Sequence, residues 1–321
     1  MSAVIWLAIA GGAVAPGLMA FGLFVWADAW THSPLALNAF KCALGSFLFG
    51  VVVLIFYRRP MPERAVLWLA FSSLLGIVIA DTLWLAALQI LGARRMIAID
   101  ALKPFVAVAF GYALLGDVVP WLGYLGVVVC ALGVYLLNME SAEADDAGKR
   151  DADDAVMAVD RAVAVADVAV DDAAAGSLWK AYAYATVNVI LDVYAATITV
   201  AEHGPLSSAE VNLLRFGLAA VLLALIWAGR EGHRQEKTKA MPPRAWGRVS
   251  LGVVFVTFLV PLITVWTLFV LPLAVAVTLW SLTPLWALPV SYYFGQRVSR
   301  RALAGAAFAA GGVVMLAVAV T

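Results

Sequence analysis

The chain has 321 residues, 64% of them apolar, 13% charged and 11% aromatic, with a formal net charge of zero at pH 7. Soluble chains average about 45–50% apolar and about 25% charged, so most soluble enzyme classes are excluded at once. Of the 42 Asp, Glu, Lys and Arg residues, 14 fall in 139–177 and 8 in 229–248, leaving 20 across the other 262 positions. Long stretches so poor in charge belong in lipid, and the sequence reads as an integral, multi-pass membrane protein of a plasma or organelle membrane.

A spanning helix needs roughly 20 mainly apolar residues. By that measure the sequence predicts an all-α chain of ten transmembrane helices. They lie near 4–26, 35–57, 67–90, 96–115 and 119–138, then 179–200, 207–228, 247–270, 273–294 and 302–320. Met1 to Trp26 reads as the first span, because no basic stretch and small-residue cleavage site mark it as a removable signal peptide. Arg58-Arg59-Pro60, Gly92, Pro120, Gly204-Pro205, Pro242-Pro243, Pro272 and Arg300-Arg301 punctuate the cuts. Segment 139–177, with 11 acids and 3 bases and no aromatic residue, reads as a solvated, disordered acidic linker. It separates a first five-helix repeat, 1–138, from a second, 178–321. The tract 229–248 is opposite in sign, but no nucleic-acid module accompanies it and no nucleic-acid partner is expected. Cys42 and Cys130 lie inside apolar segments and read as packing groups.

The halves echo each other. Asn38 and Lys41 open the second span, Asn212 and Arg215 the seventh, each as Asn-x-x-cation. Lys103-Pro104 corresponds to Thr283-Pro284, and Gly116, Gly126 and Gly133 to Gly295, Gly305 and Gly312. A five-helix unit used twice inserts in opposite orientations, which predicts inverted repeats with a site near the midplane between them.

The pattern Gly76-x4-Asp81-Thr82-Leu83-Trp84-x3-Leu88, then Lys103-Pro104-Phe105 and Leu115-Gly116-Asp117, resembles the drug/metabolite transporter superfamily, and within it the EamA-like family. Thr283-Pro284, Phe294-Gly295-Gln296 and Gly305-x6-Gly312 keep the same order in the second half. The resemblance implies a carrier with an inverted five-plus-five fold and a central cavity. Where the family often has Glu after Leu-Gly, this chain has Asp117 and Gln296, a change read as one of helix capping. The resemblance also implies cytoplasmic termini, whereas the excess of Lys and Arg on the opposite side argues for the reverse orientation.

Ionisable groups within spans cost roughly 2.5–3.5 kcal/mol each, so each marks a site or a structural pair. Here they are Lys41, Asp81, Asp100, Lys103, Asp192 and Arg215, beside Asn38, Asn188 and Asn212. Lys41 and Lys103 lie seven residues into their spans and Asp81 nine residues from the end of its own, which places all three in one layer. Asp100 shares a helical face with Lys103, and Trp84 with Asp81. Trp280 and Thr283 share a face of the ninth span, and Trp266 sits midway along the eighth. The expected substrate site is therefore Lys41, Asp81, Trp84, Asp100, Lys103, Asp192, Arg215, Trp266, Trp280 and Thr283, cations toward the anionic end of a solute and tryptophans toward its apolar body. Pro104 and Pro284 are the candidate hinges, and the glycine ladders of the fifth and tenth spans read as close-packing surfaces.

These features point to a secondary carrier of a small polar or zwitterionic metabolite working by alternating access. The alternatives are an exchanger of phosphorylated metabolites or nucleotide sugars, an ion channel, and a membrane-embedded enzyme. No enzyme is expected: His32, His203 and His233 all fall in loops, and neither an acid pair for metal nor a nucleotide-binding loop occurs. No cofactor and no metal are implied. The expected partners are a small-molecule solute, the lipid bilayer and a coupled proton, for which Asp81 and Asp192 are the candidate carriers.

Overall fold

The computed structural model describes residues 2–26, 29, 34–57, 60–147, 174–231, 241–293 and 300–320. Every regular element among them is a helix: α1 Ser2–Trp26, α2 Pro34–Phe56, α3 Glu63–Ser73, α4 Asp81–Asp100, α5 Lys103–Phe110, α6 Trp121–Ala147, α7 Ala174–Glu202, α8 Ser208–Glu231, α9 Pro243–Val253, α10 Val260–Val270, α11 Leu273–Trp280, α12 Thr283–Tyr293 and α13 Arg300–Val320. Three wider π turns, Leu74–Ala80, Gly111–Leu115 and Val254–Leu259, extend α3, α5 and α9. Among the described residues, seven stretches are long and apolar enough to cross a bilayer: Ala3–Gly22, Leu35–Phe56, Glu63–Trp84, Leu178–Glu202, Ser208–Gly229, Pro243–Val270 and Arg300–Val320. Lys103–Leu115, Trp121–Leu137 and Leu273–Trp286 are shorter apolar helices.

Lipid hydrates no backbone group, so a chain this apolar satisfies its N–H and C=O groups within helices. The helices then pack across the halves. α6 lies along α13, and α2 along α8; α7 packs on α3 and α4, while α1 packs on α9, α10 and α11. The seam between α6 and α13 is made by glycine. A Cβ on Gly126 would lie 2.9 Å from the Gly312 carbonyl oxygen, and one on Gly305 2.9 Å from that of Gly133. The two backbones therefore touch reciprocally, as the ladder spacing predicts.

Local irregularities recur at a fixed offset. The π turns at Leu74 and Val254 begin 180 residues apart (254 − 74), and helix breaks at Ala101–Leu102 and Ser281–Leu282 are also 180 apart (281 − 101). Pro104 and Pro284, in the first turn after each break, have no N–H to continue the preceding helix and so enforce it.

Three expected boundaries move. The cut at Gly92 between the third and fourth spans is absent, for the helix runs unbroken from Asp81 to Asp100 and breaks at Ala101–Leu102 instead. Gly92 keeps its N–H and so permits a helix, whereas Pro272, in the corresponding stretch of the second half, forces Leu271 to φ −110° and ψ 151°. Lys103 consequently opens a helix rather than lying seven residues inside one, and Trp280 and Thr283 flank a break instead of sharing one continuous face. Finally, α6 continues to Ala147 and α7 begins at Ala174, so both ends of the expected linker are helical. Met139, Ala142, Glu143 and Ala144 are good helix formers. Residues 148–173 lie outside the described residues, as do Arg58, Arg59, His32, His233 and Phe294-Gly295-Gln296.

Candidate functional site

The site is assembled where α7 crosses the first half. Asn188, Asp192, Ala195, Thr199 and Glu202 follow one another at spacings of 4, 3, 4 and 3, which keeps them on one face of the helix. Each of them meets the first half. Asn188 Nδ2 donates to the Ala80 carbonyl at 2.9 Å, and Asp192 Oδ2 lies 2.9 Å from Lys103 Nζ. The Ala195 carbonyl accepts from Ser72 Oγ at 2.7 Å, and Thr199 Oγ1 and Ser72 Oγ are 2.9 Å apart. At the outer end Glu202 takes the Arg64 guanidinium in a two-pronged pair, Nε to Oε2 at 2.9 Å and Nη2 to Oε1 at 2.8 Å.

Lys103 is the hub. Its ammonium also lies 3.1 Å from Asp100 Oδ1, and Asp100 Oδ2 accepts from Trp84 Nε1 at 2.9 Å. Trp84, Asp100, Lys103 and Asp192 thus form one chain across α4, α5 and α7. The side chains of Lys103, Asp100 and Asp192 keep 20%, 24% and 37% of their exposure, so none of the three is sealed in the core.

Lys41, Asp81 and Arg215 form a second group beside the first. The charges acting on the Asp81 carboxylate are those of Lys41, Asp192, Lys103 and Arg215, so all lie within electrostatic reach. None of the side chains of Lys41, Asp81 and Arg215 makes a hydrogen bond or ion pair among the described residues. Arg215 is fixed by its backbone, whose carbonyl accepts from Ser73 Oγ at 2.5 Å, while its Nε is buried without a partner.

The asparagines at the starts of α2 and α8 do the same work in both halves. Asn38 Nδ2 donates to the Ile77 carbonyl at 3.5 Å, and Asn212 Nδ2 to the Pro261 carbonyl at 2.9 Å. Both acceptors belong to the helical stretch around a π turn, where the i→i−4 ladder is interrupted.

Trp266 and Trp280 stand apart from the charges. Both pack on the main apolar cluster, and Trp280 Nε1 points at Thr267 Oγ1, 3.4 Å away. A Cβ on Gly11 would lie 3.7 Å from Trp266 Cζ3, which places that ring against α1. Thr283 Oγ1 turns back to the Trp280 carbonyl at 3.4 Å. The structure brings six expected charges and Trp84 together, and leaves Trp266, Trp280 and Thr283 in contacts of their own. Among the described residues no three His, Cys, Asp or Glu side chains gather to hold a metal.

Asp117 is a cap. Its Oδ2 accepts from the Leu273 N–H at 2.9 Å, satisfying an otherwise unpaired donor at the start of α11. Two contacts at the outer ends of helices were not visible in the sequence: the Arg64–Glu202 pair, and the stacking of His203 on Phe269 with ring centroids 3.8 Å apart and planes at 16°. The only available signal for the first was that Glu202 extends the polar spacing of α7 beyond Asp192.

All-helical among the described residues, with seven stretches able to cross a bilayer and charged groups gathered between its halves, the chain has the make-up of a polytopic membrane protein. Residues 12–139 and 180–318 each match the EamA-like transporter family, and the chain belongs to that family. A crystal structure of another protein shares the fold with a TM-score of 0.69 at 14% identity, over 98% of this chain and 97% of that one. No curated protein matches the chain.

Proposed function

We propose that the chain is a secondary carrier, moving a small polar or zwitterionic metabolite by alternating access through a central cavity between two inverted five-helix repeats that together make ten transmembrane helices. The observation that carries this reading is the charge set of Lys41, Asp81, Asp100, Lys103, Asp192 and Arg215. Three bases and three acids, drawn from both halves, meet in an apolar surround and sum to zero. A net-neutral solute fits that balance better than a phosphate ester or nucleotide sugar. The equivalent breaks before Pro104 and Pro284 supply the flexible points, and α7, seated on the first half, supplies the contact that couples the halves.

Counterflow in proteoliposomes tests it. Vesicles loaded with one zwitterionic solute at high concentration should take up its labelled form transiently and saturably. Ohmic current without saturation would identify a channel, and conversion of the solute an enzyme; either result overturns the proposal.

A further inference from the structure

We infer that Arg215 and Gly76 form an anion subsite of the cavity that receives one carboxylate of the solute, with Gly76 as the residue that sets its size. The inference rests on the carrier reading above and deepens it.

Arg215 comes from the second half and reaches over the π turn of α3 in the first. A Cβ built on Gly76 would lie 3.2 Å from Arg215 Nη2 and 2.8 Å from Ala195 Cβ. The guanidinium therefore rests against bare backbone, and a side chain at 76 would press on it and on Ala195. Ser73, one turn before, holds the Arg215 carbonyl, so the approach is anchored on the helix that carries Gly76.

The guanidinium has no contact counter-ion. Asp81 and Asp192 act on it through space, but neither forms an ion pair with it among the described residues. Asp192 is already committed to Lys103, which also holds Asp100. The buried Nε points at no acceptor. An unpaired cation at membrane depth is costly, and a guanidinium presents a planar fork that a carboxylate matches in a bidentate way.

Charge decides the class of anion. Lys103 with Asp100 and Asp192 sums to −1, and Lys41, Arg215 and Asp81 sum to +1. A single monoanionic group beside Arg215 neutralises the second set, whereas a dianionic phosphate reverses its sign. Carboxylate is the monoanion whose geometry the fork recognises.

The test is arginine-selective labelling of the purified full-length protein in nanodiscs with phenylglyoxal, read at Arg215 by peptide mass spectrometry. Sodium butyrate, its neutral amide butyramide, and sodium phosphate serve as probes, each balanced with sodium chloride to equal ionic strength. Butyrate should slow labelling of Arg215 in proportion to its occupancy, about threefold at twice its Kd, while butyramide leaves the rate unchanged. Gly76→Val should abolish that protection in protein that remains monodisperse with wild-type helicity. Should Gly76→Val not fold, Gly76→Ser takes its place, and the wild-type comparison of butyrate with butyramide still decides. An Arg215 that resists labelling without any probe, or equal protection by butyramide, overturns the subsite; equal protection by phosphate overturns its selectivity for a monoanion. Protection without counterflow of any solute sinks the carrier reading alone, and counterflow without protection sinks the subsite alone.

Discussion

Lys103→Met removes the ammonium and keeps the volume of the side chain at the hub of the charge chain. Two carboxylates lose their contact cation. Asp100 retains the Trp84 N–H on one oxygen, while Asp192 loses its ion-pair partner. Removing one member of a fully buried pair costs about 3–5 kcal/mol. The side chains here keep 20%, 24% and 37% of their exposure. Solvent screening at that exposure reduces the expected loss to about 2 kcal/mol. Adding Asp192→Asn, which discharges the group left without its cation, should recover about half of that loss, because neutralising both partners avoids an uncompensated charge. The assay is equilibrium unfolding in mixed micelles of dodecylmaltoside and SDS, followed by tryptophan fluorescence, for the wild type, both single variants and the double variant. A single Lys103→Met variant as stable as wild type would refute the pairing. So would strict additivity of the two substitutions, since the cycle then shows no coupling between the residues.

Three further outcomes are expected. Gly133→Ala places a Cβ 2.6 Å from the Gly305 carbonyl oxygen and 2.8 Å from Ala309 Cα. It should lower stability by about 1–3 kcal/mol through overpacking, whereas Gly311→Ala on the facing helix α13 meets nothing and should be neutral or slightly stabilising in a melting experiment. Asp117→Ala should cost about 1 kcal/mol as a lost cap and raise hydrogen exchange at the start of α11, with Asp117→Asn retaining most of the protection. His203 is held below its ordinary pKa by burial against Phe269, so the unfolded or opened state binds more protons than the closed one. The stacked loop should therefore be fully stable above about pH 6.5, the ordinary value. It should weaken as the pH falls toward the depressed value, and His203→Gln should flatten that dependence in a pH series of limited proteolysis between α7 and α8.

Much of the fold was legible because lipid leaves a chain few choices. Hydropathy alone marked the chain as helical and membrane-crossing, and the ladders of Gly126, Gly133, Gly305 and Gly312 pointed to the close seam between α6 and α13. Boundaries were harder where proline and glycine punctuate differently. Gly92 looked like a cut and permits a helix, while the true break at Ala101–Leu102 is dictated by Pro104 from three residues downstream. The charges of the site were legible for an energetic reason: each is expensive in lipid, so each stands out. Their pairing was not, because it depends on which helix crosses which. Asp192 lies 89 positions along the chain from Lys103, in the other half, yet at 2.9 Å it is the closest partner of Lys103. Trp266 and Trp280 show the opposite case, since a tryptophan in a membrane protein has a good reason to sit almost anywhere.

The matched π turns at Leu74 and Val254 bear on the history of the chain. A π turn accommodates one residue more than the α-helix around it requires, so each is the trace of a single insertion. The same extra residue stands at the same place in both halves, 180 positions apart (254 − 74), and each half lends an asparagine to the helical stretch around it. Two separate insertions landing in register are a poorer account than one insertion in an ancestral repeat unit, already carried when that unit was copied. The asymmetry between Asp81 and Pro261, which follow the two turns, then belongs to the time after the copying, when one half kept or acquired a charge and the other a helix-breaking ring.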